Sequence, residues 1–167
     1  MVSAAIFLGL SVVLIASLQS TRKMETKSDA NSQAYRKAQT VMAHLASELR
    51  GSQLVEPVDL DVGANTIVYR KPQLNGDRLK INAFGEPLWE DPTSITADPT
   101  NQVMQTRSDG SLRVLAELGA DGRLSFVRYR EDTIKVTVEA TVLDPGNRVL
   151  REGRSRSERL FYFANQP

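Results

Sequence analysis

Met1-Val-Ser-Ala-Ala-Ile-Phe-Leu-Gly-Leu-Ser-Val-Val-Leu-Ile-Ala-Ser-Leu18 decides how the chain is organised. Only Ser3, Ser11 and Ser17 interrupt its apolar character, and every charged residue of the protein lies beyond it. A serine hydroxyl can return its hydrogen bond to the helix backbone, so none of the three breaks a helix. As a helix the run reaches roughly 27 Å, close to the about 30 Å of a bilayer's hydrocarbon core. The spacing then changes character without a break. No proline precedes Pro57, and Gly9 and Gly51 are the only glycines up to that point. From about Lys23 apolar residues recur at spacings of three and four: Tyr35, Ala38, Val41, Met42, Leu45 and Leu49. That is one stripe on an amphipathic helix, with Lys27, Asp29, Arg36, Lys37 and Glu48 on the other faces. The pattern predicts a single helix to about residue 55, stopped by Gly51 and Pro57.

Beyond the helix the signals are those of strands. Turn dipeptides stand at Asn75-Gly76, Asp109-Gly110, Asp121-Gly122 and Pro145-Gly146-Asn147. Between them strands are expected at Thr66–Lys71, Leu79–Phe84, Leu112–Leu118, Leu124–Arg130, Thr133–Leu143 and Glu158–Phe163. The clearest alternation is Ile134, Val136, Val138, Ala140, Val142 against Lys135, Thr137, Glu139, Thr141. It predicts one buried and one wet face, the buried one lying against the helix stripe. Glu86–Gln102, with Pro87, Pro92, Pro99 and the only tryptophan, Trp89, reads as a long loop. The fold class is therefore α+β: a long amino-terminal helix packed on a carboxy-terminal antiparallel sheet. Residues 1–22 form its apolar half, 23–56 its amphipathic half, and 57–167 the sheet domain.

Composition narrows the chemistry. The 167 residues carry 21 basic and 20 acidic side chains, no cysteine and one histidine, His44. Disulfides, thiolate metal sites and His-pair zinc sites are excluded, and the charge balance disfavours bulk nucleic-acid binding. His44 beside Leu45 reads as a structural or solvent-edge residue. Asp59-Leu-Asp61-Val-Gly63-Ala-Asn65 alternates acids like a calcium loop, but Gly63 stands at the third ligand position and no glutamate closes it. It reads as a connection. Glu131-Asp132 reads as the cap of a hairpin. No acid–base constellation, phosphate loop or stacking platform is visible, and neither a catalytic residue nor a cofactor is expected.

The apolar run is expected to anchor the chain in a membrane, with Ile6, Phe7, Leu8, Leu10, Val12, Val13, Leu14 and Ile15 in the lipid or in a helical core. No basic residue precedes it, and Ala16-Ser17-Leu18 is a poor cleavage site for a signal peptide. The first basic residues, Arg22, Lys23 and Lys27, follow it, which by the positive-inside rule alone would hold the bulk of the chain in the cytoplasm. Arg148, Arg151, Arg154 and Arg156, with Phe161 and Phe163 of the closing strand, form a candidate partner surface. Glu152 and Glu158 temper the arginines, and a solvated hairpin is the plainer reading.

An uncharged apolar helix continuing into an amphipathic one and then an antiparallel sheet resembles the type IV pilin family. The likeness is closest to the minor pilins and pseudopilins, including the J-type pseudopilin of type II secretion and the W-type minor pilin. Met1–Leu8 looks like the stretch after the glutamate of that family's Phe-Thr-Leu-x-Glu start, Ala43–Leu54 like the end of its first helix, and Thr133–Phe163 like its final hairpin. The resemblance implies a structural subunit of a pilus-like filament or secretion pseudopilus, not an enzyme. Its partners would be other pilin-like subunits, the inner-membrane assembly platform and the inner membrane, with the sheet domain in the periplasm or outside the cell. It also implies a basic leader, a target for prepilin peptidase, and the family's glutamate upstream of Met1. The alternative reading is a membrane-tethered extracytoplasmic binding module that does not polymerise.

Overall fold

The structure, a computed structural model, describes residues 2–143 and 152–163, with side chains from Leu14 onward apart from Lys23, Thr26 and Glu152. One helix, α1 (Val2–Leu49), runs for 48 residues, about 70 Å at 1.5 Å per residue. It ends about six residues earlier than the sequence suggests. Gly51 takes φ +70°, and both the N–H and the hydroxyl of the buried Ser52 donate to the Leu49 carbonyl. That cap releases the chain into a strand, β1 (Gln53–Glu56), where helix was expected.

Ten further strands follow in chain order: β2 (Gly63–Ala64), β3 (Thr66–Arg70), β4 (Leu74–Asn75), β5 (Arg78–Leu79), β6 (Thr93–Ala97), β7 (Gln102–Thr106), β8 (Leu112–Glu117), β9 (Arg123–Arg130), β10 (Thr133–Leu143) and β11 (Glu152–Tyr162). They form a five-stranded sheet in the order β1-β3-β6-β7-β8, a four-stranded sheet in the order β11-β10-β9-β2, and a small β4-β5 ribbon. The named strand pairs are antiparallel. The α+β class read from the sequence is the architecture observed.

One core joins both sheets to the helix. α1 contributes Ala38, Val41, Met42, Leu45 and Leu49; the larger sheet Leu54, Ile67, Tyr69, Ile95 and Val103; the smaller one Phe126, Ile134, Val136, Val138 and Phe161. A fully buried leucine such as Leu45 contributes about 1.5 to 3 kcal/mol, so this face outweighs any helix propensity of the segment. Tyr35 does not belong to the stripe. It is 56% exposed, and Ala30 and Ala34 take the inward position above Ala38. Ala30, Ala34 and Ala38 set the phase of the buried stripe at this end, and Tyr35 lies about 100° round the helix from Ala34. At Gly153 a β-carbon would lie 2.2 Å from the Ala30 carbonyl carbon, so helix and strand touch backbone to backbone there.

Several strands depart from expectation. Glu86–Gln102 is no continuous loop, because β6 lies inside it: Pro92 precedes the strand and Pro99 follows it, so neither removes a ladder donor. The expected strand at Leu79–Phe84 shrinks to β5, because the Asn82 side chain accepts from the Phe84 and Glu86 N–H groups and curls the chain into a turn. At the end of β10 the alternation slips. Thr141 is buried and Val142 only half-buried, since the segment at Leu118–Gly119 crosses there and the Thr141 N–H donates to the Leu118 carbonyl at 2.7 Å. β11 is longer than expected, and the Asp144–Asn147 turn lies outside the described residues.

Two outcomes test this packing. Val138→Asp places an uncompensated carboxylate in the core, a cost comparable with a domain's entire stability of about 5 to 15 kcal/mol, and should abolish the cooperative melt. Glu139→Ala removes only an exposed ion pair to Arg156 and should leave the melt within about 1 kcal/mol of the parent. Gly153→Ala should destabilise by about 1 to 3 kcal/mol in thermal denaturation, with Ser155→Ala near neutral, because only the former must push the helix backbone away.

Candidate functional site

Three places on the molecule hold residues that could carry function: the exposed part of α1, its junction with the larger sheet, and the β10–β11 hairpin. From Leu14 to Asp29 every described side chain of α1 is exposed, Leu14, Ile15, Leu18 and Met24 among them. From Ala30 onward one face is buried. The helix therefore enters the domain at Ala30, and the preceding turns project from it. Of the expected anchor residues, Ile6, Phe7, Leu8, Leu10, Val12 and Val13 lie outside the described side chains. Among the described residues no helix is long and apolar enough to cross a membrane, so those residues lend the expected single-pass anchor no support.

The opposite end of the helix is clamped by polar groups. The sequence pattern puts Glu48 on a polar face, yet its carboxylate is the hub of a partly buried network. Tyr69 donates to Glu48 Oε2 at 2.9 Å, Gln105 Nε2 donates to the same oxygen at 3.0 Å and to the Tyr69 hydroxyl at 3.0 Å, and the Lys71 ammonium lies 2.7 Å away. The strand period puts these groups together. Tyr69 follows the buried Ile67 by two residues and Gln105 follows the buried Val103 by two, so both face inward. A glutamine at an inward position needs a polar partner, and that is the signal in the sequence that points to Glu48.

Burial pushes the Glu48 carboxyl up, but the hydrogen bonds from Lys71, Tyr69 and Gln105, with the lysine charge, outweigh it and hold the group below the usual carboxylate range. Burial first, then the Glu48 charge, drives the Tyr69 phenol far above its ordinary value, so it remains a donor at every physiological pH. All the polar ends are directed at one another. The arrangement is a clamp fixing the last helical turn to β3 and β7.

On the hairpin, β10 and β11 pair from Thr133↔Tyr162 to Leu143↔Glu152. This register sets Arg156 opposite Glu139. Arg156 also pairs with Glu158, and Arg154 approaches Asp121 at 3.7 Å. Arg154, Arg156, Asp121 and Glu139 line an open depression of about 330 Å³. Its charge is mixed, and the arginines are tempered as the sequence suggests. Phe161 and Phe163 are buried rather than presented as open surface. They are 9% and 4% exposed, because their face of β11 is the one that covers the core. Leu160 and Tyr162 take the outer face instead. Arg148 and Arg151 lie outside the described residues.

His44 is half-buried, and its carbonyl accepts from Ser47 Oγ. Asp59 and Asp61 are exposed in the connection to β2, where Asp61 adopts φ +58° and donates its N–H to the Arg128 carbonyl. Asp132 accepts from the Thr133 hydroxyl and, through its carbonyl, from the Phe163 N–H, which ties off the β9–β10 turn. Among the described residues no group of three or more acidic or histidine side chains could hold a metal ion. No protein-family model matches the chain, and no curated protein or solved structure is significantly similar to it.

The clamp makes stability depend on pH. The unfolded carboxyl titrates near 4.5 and the folded one lower, so between these values the unfolded state binds more protons. The stabilisation is complete above about pH 5 and should be lost as pH falls through the folded value. Glu48→Gln should flatten that acid limb in melts between about pH 3 and 6 and cost about 1 to 2 kcal/mol at neutral pH, partial exposure keeping the loss small.

Proposed function

We propose that this chain is a structural subunit of a type IV pilin-like assembly, a minor pilin or pseudopilin that acts by packing into a filament and recognising neighbours. The observation that supports it best is the division of α1. The segment Leu14–Asp29 projects bare from a domain that holds the same helix firmly from Ala30 onward. Leu14–Leu18 of that bare segment belong to a run of 18 residues without a charge, and such a run has a use where another apolar medium receives it.

In this reading the apolar half rests in the inner membrane and then enters the helical core of a filament, with the sheet domain outside. It exchanges lipid contacts for contacts with neighbouring apolar helices, so extraction costs little net hydrophobic free energy. The work is assembly rather than catalysis, and the partners are other pilin-like subunits and the platform that drives them. The clamp at Glu48 and the close contact at Gly153 keep stalk and head as one lever, so that the position of the helix sets the position of the head.

The test is charge against shape at the middle of the apolar run. Leu10→Lys places an ammonium where insertion costs about 2.5 to 3.5 kcal/mol, and Leu10→Ile changes neither charge nor volume. In the native cell the lysine variant should be missing from sheared filaments, while the isoleucine variant enters them like the parent. Cross-linking to other pilin-like subunits should be lost in step. A parent protein found only as isolated monomers in membranes, with an intact assembly machine beside it, would decide for the tethered binding module.

A further inference from the structure

β11 is the outermost strand of its sheet, and one of its edges faces away from β10. Two hydrogen bonds fix which residues face which way. The Phe163 N–H donates to the Asp132 carbonyl on the β10 side, and the Arg154 N–H donates to the Asn31 side chain on the other. Alternation then directs the N–H and C=O groups of Leu160 and Tyr162 to the outer edge, where neither N–H has an acceptor among the described residues. Asn31 closes the edge at Arg154; nothing described closes it at Leu160–Tyr162.

Beside that open stretch lies a groove of about 390 Å³ between the edge and the last turn of α1. Ala46, Leu49, Leu160 and Tyr162 supply apolar walls, and Arg50 and Arg159 supply two exposed guanidinium groups. Neither arginine has a carboxylate partner among the described residues; Arg159 instead lies over the Phe161 ring at 5.6 Å. Arg156 on the same strand differs, flanked by Glu139 of β10 and by Glu158.

We propose that this groove takes an extended segment of a partner protein, added as a strand to the β11 edge, with a carboxylate side chain held between Arg50 and Arg159. Each part of the site meets one requirement of such a ligand. The outward groups of Leu160 and Tyr162 offer a ladder to an extended backbone, the apolar walls receive alternate side chains, and the two arginines select an acidic residue among them. The inference stands apart from the filament reading, since any partner with such a segment would serve.

The probe is a labelled Thr-Val-Glu-Val-Thr-Val peptide, blocked at both ends, titrated into the full chain in detergent micelles and followed by fluorescence anisotropy. It should bind, and the glutamine-for-glutamate peptide should bind about tenfold more weakly, as should the parent peptide to Arg50→Gln or Arg159→Gln. Leu160→Pro removes one outward donor and leaves the β10 ladder intact, so it should weaken binding without lowering the melt. If it does lower the melt, the arginine variants and amide exchange decide alone. On binding, the amides of Leu160 and Tyr162 should gain protection from hydrogen exchange. No binding at about 1 mM, equal binding of the two peptides, or protection elsewhere would overturn the proposal. So would concentration-dependent dimerisation that protects the same amides without peptide, which would make a second copy the occupant.

Discussion

The molecule depends on how closely α1 approaches β11 at one end. Ala30, Ala34 and Ala38 stand one turn apart on the inward face, and opposite them the strand carries Gly153, Ser155 and Ser157. Gln39 reaches the hydroxyl of Ser157 across this contact. With side chains this small the two backbones meet, and dispersion contacts replace the usual layer of interlocking residues. Further along, the same two elements carry Met42, Leu45 and Leu49 against Phe161 and Phe163. From Ala30 to Leu49 the helix rises about 28 Å, and from Gly153 to Phe163 the strand rises about 33 Å, so the elements run side by side for nearly their whole contact. Their side chains grow in step. Backbones meet where both are small; where both are large their side chains stand between the backbones, and residues of the larger sheet join them in the core, so the contact is wedge-shaped in side-chain size. That taper gives one core to two sheets that would otherwise share little.

The two ends of the wedge are held by different physics. At the narrow end the contact is steric and indifferent to pH or salt. At the wide end Glu48 adds a charged anchor, drawn to Tyr69 of β3, Gln105 of β7 and Lys71 just past β3. A contact of small residues fixes distance but lets a helix rotate, whereas three directional bonds to one carboxylate oxygen fix rotation. Together they determine the direction in which Leu14–Asp29 leaves the domain. A helix meant only to complete a core would need neither its projecting turns nor so firm a hold on their direction.

Much of this was legible in the sequence, and the failures share a cause. The period of the helix stripe and the alternation from Ile134 to Ala140 are local properties, written in one segment, and they located the core correctly at Ala38, Val41, Met42, Leu45 and Leu49. Tyr35 fits the same period, but the phase of the stripe at this end is set by Ala30, which meets the remote Gly153 only after folding. β6 was hidden because a strand with a single deeply buried residue, Ile95, and prolines on both flanks has the composition of a loop. Phe161 and Phe163 read as a partner surface in the sequence because alternation tells which residues share a face but not which face is covered. The role of Glu48 depended on partners in two other strands. Segment-level chemistry was readable; pairing between segments was readable only where a polar residue stood at an inward position, as Gln105 does.

β11 shows why covering the core and meeting a partner need not compete. A strand has two faces and two edges, and the period of two assigns consecutive residues to different duties. Phe161 and Phe163 seal the core, and the backbone of Phe163 holds the strand to the neighbouring turn. Leu160 and Tyr162, between and beside them, put their side chains on the outer face, 43% and 69% exposed, and direct their backbone polar groups away from β10. An unprotected edge carries a risk of indiscriminate strand pairing, which proteins limit by shortness, charge or cover. Here Asn31 covers the edge at Arg154, Arg156 and Glu158 place charge beside it, and Arg50 and Arg159 flank the open remainder. What stays open is short, lies at the wide end of the wedge, and is positively charged, so it repels its own kind and favours an acidic guest. Changes to the guest's site can therefore proceed through Leu160, Tyr162 and the two arginines without disturbing the taper that holds the helix.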